Sequence, residues 1–305
     1  MSRVVRALSL VAAALAGLGS VGGCSPAVLL NAVIPSDGYN LHRGLEYGTD
    51  DRQRLDVYVP QGATADPRPV VVFFYGGSWK SGTRDLYRFV GEAFAAAGYV
   101  VVIPDYRVYP AVQFPAFVDD GAAAVHWVQE RITGFGGDRS RLIVAGHSAG
   151  AHLGALLLLD PRYLERAGAD RESLCGFVGL AGPYAFDPDR YRSTRPIFAT
   201  APDSRETMPV TFADTPAPPM LLLHGADDGT VRPVNSLTLA ERRREADGEA
   251  DYISYPDLGH IGIVLSLAAP FRGRDAVYTD TVQFIERTAN ACSGDVISEP
   301  RSSAG

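Results

Sequence analysis

The chain has 305 residues, 46% of them hydrophobic, and carries 28 Lys+Arg against 35 Asp+Glu, a formal net charge of −7. That length and apolar content suit one sizeable domain. The acidic balance, without a dense Lys/Arg block, speaks against nucleic acid and against an anionic membrane surface as partners.

At the N-terminus Arg3 and Arg6 precede an apolar run from Ala7 to Leu18, and Val21-Gly22-Gly23 leads into Cys24. A basic start, a short apolar stretch and then small residues mark a bacterial secretion signal; the run is too short for an ordinary membrane-spanning helix. Val21-Gly22-Gly23-Cys24 resembles a lipobox, which implies cleavage before Cys24 and lipidation of its thiol. The expected location is therefore exported, as a membrane-anchored lipoprotein that is periplasmic or outer-membrane associated. Membrane contact is expected through that anchor alone. The sequence reads as a signal peptide over 1–23, a tether over 24–43, a main domain over 44–292 and a structureless tail over 293–305.

Along the main domain, β-branched runs alternate with helical patterns, as a parallel sheet with crossover helices requires. Strands are expected at Arg54–Val59, Val70–Phe74, Val100–Ile103, Arg141–Ala145, Phe177–Leu180, Met220–Leu223 and Tyr252–Tyr255. Helices are expected at Leu86–Ala97, Pro115–Ile132, Ala149–Leu159, Val234–Ala246 and Asp275–Asn290. Between 183 and 219 the pattern dissolves into Pro-, Asp-, Arg- and Thr-rich sequence too long for an ordinary loop, which reads as a small cap.

Gly146-His147-Ser148-Ala149-Gly150 sits between a strand and a helix, the context a nucleophile elbow needs. Glycines on either side let the chain turn sharply enough to present Ser148. Upstream, Tyr75-Gly76-Gly77-Ser78-Trp79 ends the Val70–Phe74 strand, where backbone N–H groups of Gly76 and Gly77, with that of Ala149, can meet a developing oxyanion. A nucleophilic serine needs a base, and of the six histidines only His260 follows a late strand. The acid should follow the penultimate strand, where Asp227 and Asp228 compete on even terms. Trp79, Tyr184 and Phe186 are candidates for lining a substrate pocket. No Cys/His cluster has zinc spacing and no cofactor motif lies in a fitting context, so the reading calls for no metal and no cofactor.

These motifs together resemble the acetyl esterase/lipase group of α/β-hydrolases, and within it bifunctional feruloyl/acetyl-xylan esterase-like and arylformamidase-like proteins. The resemblance runs from about Leu45 to Ile285 and rests on the Gly-His-Ser-Ala-Gly-Ala-His elbow, the Gly76-Gly77-Ser78-Trp79 loop, Gly179–Tyr184 and His224-Gly225-Ala226-Asp227-Asp228. It implies a mostly parallel central sheet with helices on both faces and a small cap, and a Ser148, Asp228 and His260 triad. The family pattern His-Gly-x-x-Asp-x-x-Val places the acid at Asp228. Tyr75 departs from it, since the family usually has His before the two glycines. The implied activity is hydrolysis of a small-molecule carboxylic ester through an acyl-enzyme. Amide or formamide cleavage on the same triad is the near alternative, and a non-catalytic binding module is the alternative from another class. If Cys24 carries lipid, Cys175 and Cys292 are left as a candidate disulfide pair in an oxidising compartment.

Overall fold

The computed structural model describes residues 30–292; the expected signal peptide, the expected lipidation site at Cys24 and the tail lie outside them. Eight strands form one sheet: β1 (Tyr39–Glu46), β2 (Arg54–Pro60), β3 (Arg68–Phe74), β4 (Val100–Pro104), β5 (Gly137–His147), β6 (Leu174–Leu180), β7 (Met220–Gly225) and β8 (Ala250–Tyr255). Their spatial order is β1-β2-β4-β3-β5-β6-β7-β8. The β1–β2 and β2–β4 pairings are antiparallel and the rest are parallel. Val70, Val71 and Val72 of β3 and Val100, Val101 and Val102 of β4 are fully buried, so both faces of these strands are covered. Only helices packed on both sides of a parallel sheet achieve that.

The helices are α1 (Arg88–Ala96), α2 (Ala116–Arg131), α3 (Ala149–Leu159), α4 (Pro161–Ala167), α5 (Arg195–Phe198), α6 (Val234–Glu245), α7 (His260–Leu265) and α8 (Val277–Cys292). Every residue of α3 is buried, as its apolar circumference demands. A disulfide joins Cys175 at the start of β6 to Cys292 at the end of α8, with Cα atoms 5.7 Å apart.

The sheet begins earlier than expected. Tyr39–Glu46, more than half of it inside the stretch read as tether, forms edge strand β1, and Leu30 and Ile34 are buried against the domain. The Arg88 guanidinium donates to the Ile34 carbonyl and the Tyr39 hydroxyl, and Asn31 Nδ2 donates to the Asp85 carbonyl. Residues 183–219 lack long elements and consist of α5 and three short 3-10 turns, two of them capped by Asp187 and Asp203. Side chains of the domain hold this cap by its carbonyls: Lys80 at Ser193, Gln113 at Pro196 and His152 at Thr207.

Candidate active site

Gly146 and Gly150 flank the nucleophile because nothing larger fits. A Cβ on Gly150 would lie 2.1 Å from the Phe74 carbonyl oxygen, and one on Gly146 would lie 2.6 Å from the Gly150 carbonyl. The close approach of β5, α3 and the end of β3 forces Ser148 to φ 55° and ψ −121°, a conformation costing a non-glycine residue about 1–3 kcal/mol. Its N–H donates to the Leu180 carbonyl at 2.9 Å, which locks the turn to β6. The hydroxyl is thereby thrust out at the C-terminal ends of the strands.

The loops after β7 and β8 bring the partners. His260 Nε2 stands 2.9 Å from Ser148 Oγ, and His260 Nδ1 stands 2.7 Å from Asp228 Oδ2. The other oxygen of Asp228 accepts the Thr230 and Val231 N–H groups, each at 2.8 Å. Asp227 is exposed, and its N–H donates to the Leu258 carbonyl, tying the acid loop to the base loop. The geometry thus separates the two aspartates that the residues alone left even.

His224 does more than shape a loop. Its Nε2 lies 2.9 Å from the Val231 carbonyl and 3.2 Å from Asp228 Oδ2. A carbonyl oxygen only accepts, so Nε2 carries the proton, and Nδ1 accepts from the Ser236 hydroxyl at 2.7 Å. Burial, partly offset by the Val231 carbonyl and Asp228, lowers its pKa. A neutral imidazole is therefore added to the donors around the carboxylate. His224 precedes the Gly-x-x-Asp signature directly, and that position was the available signal.

At the oxyanion loop, Gly77 adopts φ +145°, and a Cβ there would fall 2.1 Å from the Ser81 carbonyl. Ser78 and Trp79 follow in left-handed backbone, at φ 54° and 58°. A Cβ on Gly76 would come within 3.0 Å of the Ser148 Cβ, so the loop lies directly beside the nucleophile. Burial pushes the Tyr87 phenol beside the loop up to about 12. Ala149 is the first residue of α3, where an N–H has no intrahelical acceptor. Tyr75, standing where the family has His, is wholly buried beneath the loop. Its hydroxyl donates to Asp105 at 2.7 Å and accepts from Arg52 at 3.0 Å, and its ring stacks on Tyr106.

Ser148 opens into a cleft of about 830 Å³ between this loop, the cap and the start of α6. Trp79 and Phe186 line it, with rings stacked at 6.2 Å, and Tyr191 extends the stack toward solvent at 5.1 Å from Phe186. Tyr184 does not line it. With no side chain on Gly179 and Gly182 to keep it out, its ring turns inward and packs edge-on against Phe177, fully buried.

Two family models match the chain: BD-FAE over residues 55–167 and the prolyl oligopeptidase family over residues 116–292. Among curated relatives, the chain is 32% identical to esterase LipC of Mycobacterium tuberculosis over 241 residues, 73% of this chain and 60% of that protein. It is 29% identical to a probable isoprenylcysteine alpha-carbonyl methylesterase of Oryza sativa subsp. japonica, over 80% of this chain and 63% of that protein. The chain therefore spans about three-fifths of the length of these relatives. Thermogutta terrifontis esterase 2 superposes with a TM-score of 0.66 at 25% identity, covering 83% of this chain and 94% of that one. Esterase B of Lactobacillus rhamnosis shares the fold, at TM-score 0.77 and 17% identity over 96% of each chain.

Proposed function

The chain belongs to the prolyl oligopeptidase family, and on that footing we propose that it is a serine hydrolase cleaving a carboxylic ester through an acyl-enzyme. One observation carries the reading: the unbroken relay from Ser148 Oγ through His260 to Asp228, opening on the cleft. Ser148 Oγ attacks the ester carbonyl as its proton passes to His260 Nε2, and Asp228 holds the ring and offsets the imidazolium charge. The N–H groups of Gly76, Gly77 and Ala149 meet the oxyanion. His260 then protonates the departing alcohol, and a water molecule repeats the sequence to release the acid. The relatives whose names speak of esters favour this bond over an amide.

The cap leaves a cleft of moderate size with Trp79, Phe186, Met208 and Val210 on its apolar side and Lys80, Asp187, Arg190 and Arg232 among its charged lining. It suits a short acyl group or a bulky alcohol side better than a long fatty chain. The purified full chain, offered p-nitrophenyl esters of increasing chain length and the matching anilides, should turn over acetate or butyrate at least about tenfold faster than a long-chain ester or an anilide. An anilide cleaved faster than its ester would overturn the reading. We further propose export and anchoring through lipid on Cys24, supported by Val21-Gly22-Gly23-Cys24; mass spectrometry finding an unmodified Cys24 in the native protein would contradict it.

A further inference from the structure

The residue before the nucleophile is a histidine, and it is buried at 1% exposure. Its Nε2 lies 2.9 Å from the main-chain carbonyl oxygen of His260, and the two imidazoles pack with centroids 4.9 Å apart. Since that carbonyl can only accept, His147 Nε2 carries the hydrogen. Burial, seconded by the neighbouring His260, pushes the His147 pKa down to about 3, so the ring is neutral wherever the enzyme works. Its Nδ1 is then a bare acceptor, buried without a hydrogen-bond partner. An unpaired buried nitrogen is unfavourable, and an apolar ring would fill the same space without it. What the imidazole adds is the bond to His260.

We propose that His147 is a positioning residue: by holding the His260 carbonyl it fixes the distance between the Ser148 hydroxyl and the base. The proposal rests on the hydrolase reading above. Asp228 orients the His260 ring from its far side, but nothing in that bond sets where the ring stands relative to Ser148. His260 opens α7, a helix of six residues, and is followed by Ile261, which is 57% exposed. Ile263 and Val264 bury the inner face of α7, and the Asp227 N–H holds the preceding loop at the Leu258 carbonyl. Neither acts on the His260 main chain itself, which needs its own fixed point. His147 supplies it from the turn that also fixes Ser148, so nucleophile and base share one reference. A displacement of about 1 Å between reacting groups can cost about a hundredfold in rate.

The test compares His147→Gln with His147→Met in the full chain. Both side chains have about the volume of imidazole, and only Gln places an N–H donor near the Nε2 position. The Met variant should lose about 10- to 100-fold in kcat on a short p-nitrophenyl ester, with KM within about twofold. The rate of Ser148 labelling by a fluorophosphonate should fall in parallel, and Gln should recover most of both losses. A Met variant as fast as wild type overturns the proposal, as do equal losses in both variants. Loss of the folded circular dichroism signal in either variant assigns His147 to stability and overturns it too. A wild-type chain that labels but cleaves no ester sinks the ester reading alone. If its labelling still falls with Met and returns with Gln, the positioning role stands.

Discussion

The nucleophile elbow and the cap face each other across one cleft and are held in place by different means. At the elbow, backbone packs on backbone: Gly146 and Gly150 have no room for a Cβ, and Ser148 is fixed by the Leu180 carbonyl. The cap is hung mainly from domain side chains, with His152, Lys80 and Gln113 each donating to a cap carbonyl and one backbone bond, from the Phe114 N–H to the Ile197 carbonyl, beside them. Steric exclusion between backbones tolerates almost no sequence change, whereas a carbonyl accepts a donor whatever side chain it belongs to. The first arrangement preserves a chemistry. The second lets the residues that face the substrate vary over a constant frame.

The sharpest way to break this comparison is to change the relay without touching the cap. Ser148→Ala or His260→Ala should lower kcat by about 10⁴- to 10⁶-fold, and the double variant should lose little more, because the residues act as a unit. Asp228→Asn should cost about 10²- to 10⁴-fold, since the amide cannot hold the required tautomer of His260. Asp227→Asn should stay within a few-fold of wild type, because that side chain is exposed and outside the relay. Kinetics on a p-nitrophenyl ester, with folding checked by circular dichroism, decide it; a dead Asp227 variant beside a normal Asp228 variant would reverse the assignment.

The same contrast sets what could be read from sequence. The central strands β3, β4, β6 and β7 announce themselves because burial on both faces demands apolar runs such as Val70-Val71-Val72. The elbow is legible because its glycines are obligatory. Edge strand β1 is not: Tyr-Asn-Leu-His-Arg-Gly-Leu-Glu covers a half-exposed edge, with a register shift between His42 and Leu45 that breaks any alternation. Helix α4 did carry a signal, Asp160 as N-cap with Pro161 at the first position, but it is only seven residues long and adjoins a longer helix. Tyr184 was misplaced for a physical reason: a ring can turn either toward a cleft or away from it, and the sequence around Gly179 and Gly182 does not say which.

Acid should expose the seam between the two regions. His147 and His224 lie on the relay side and His152 reaches into the cap, and burial is the chief cause holding all three below the ordinary histidine pKa, to about 3 for His147 and about 4 for His152. In the unfolded chain each titrates near 6.5. Well above that pH neither state binds these protons, so stability does not depend on them. As pH falls below about 6.5 the unfolded chain takes up protons that the folded chain refuses, and stability declines until the folded pKa is reached. Between pH 7 and 5, where most carboxylates stay ionised, the urea midpoint should fall, with proton uptake on unfolding approaching about two from His147 and His152 by the lower limit and His224 adding to it in the same direction. His152→Leu should reduce that uptake by about one. It also removes the bond to the Thr207 carbonyl, next to Met208 and Val210 of the cleft wall, so its KM for a short ester should move more than its kcat. A midpoint independent of pH across that window would mean that the buried histidines reach protons without unfolding. A His152 variant with wild-type KM and reduced kcat would place that residue with the elbow and not with the cap.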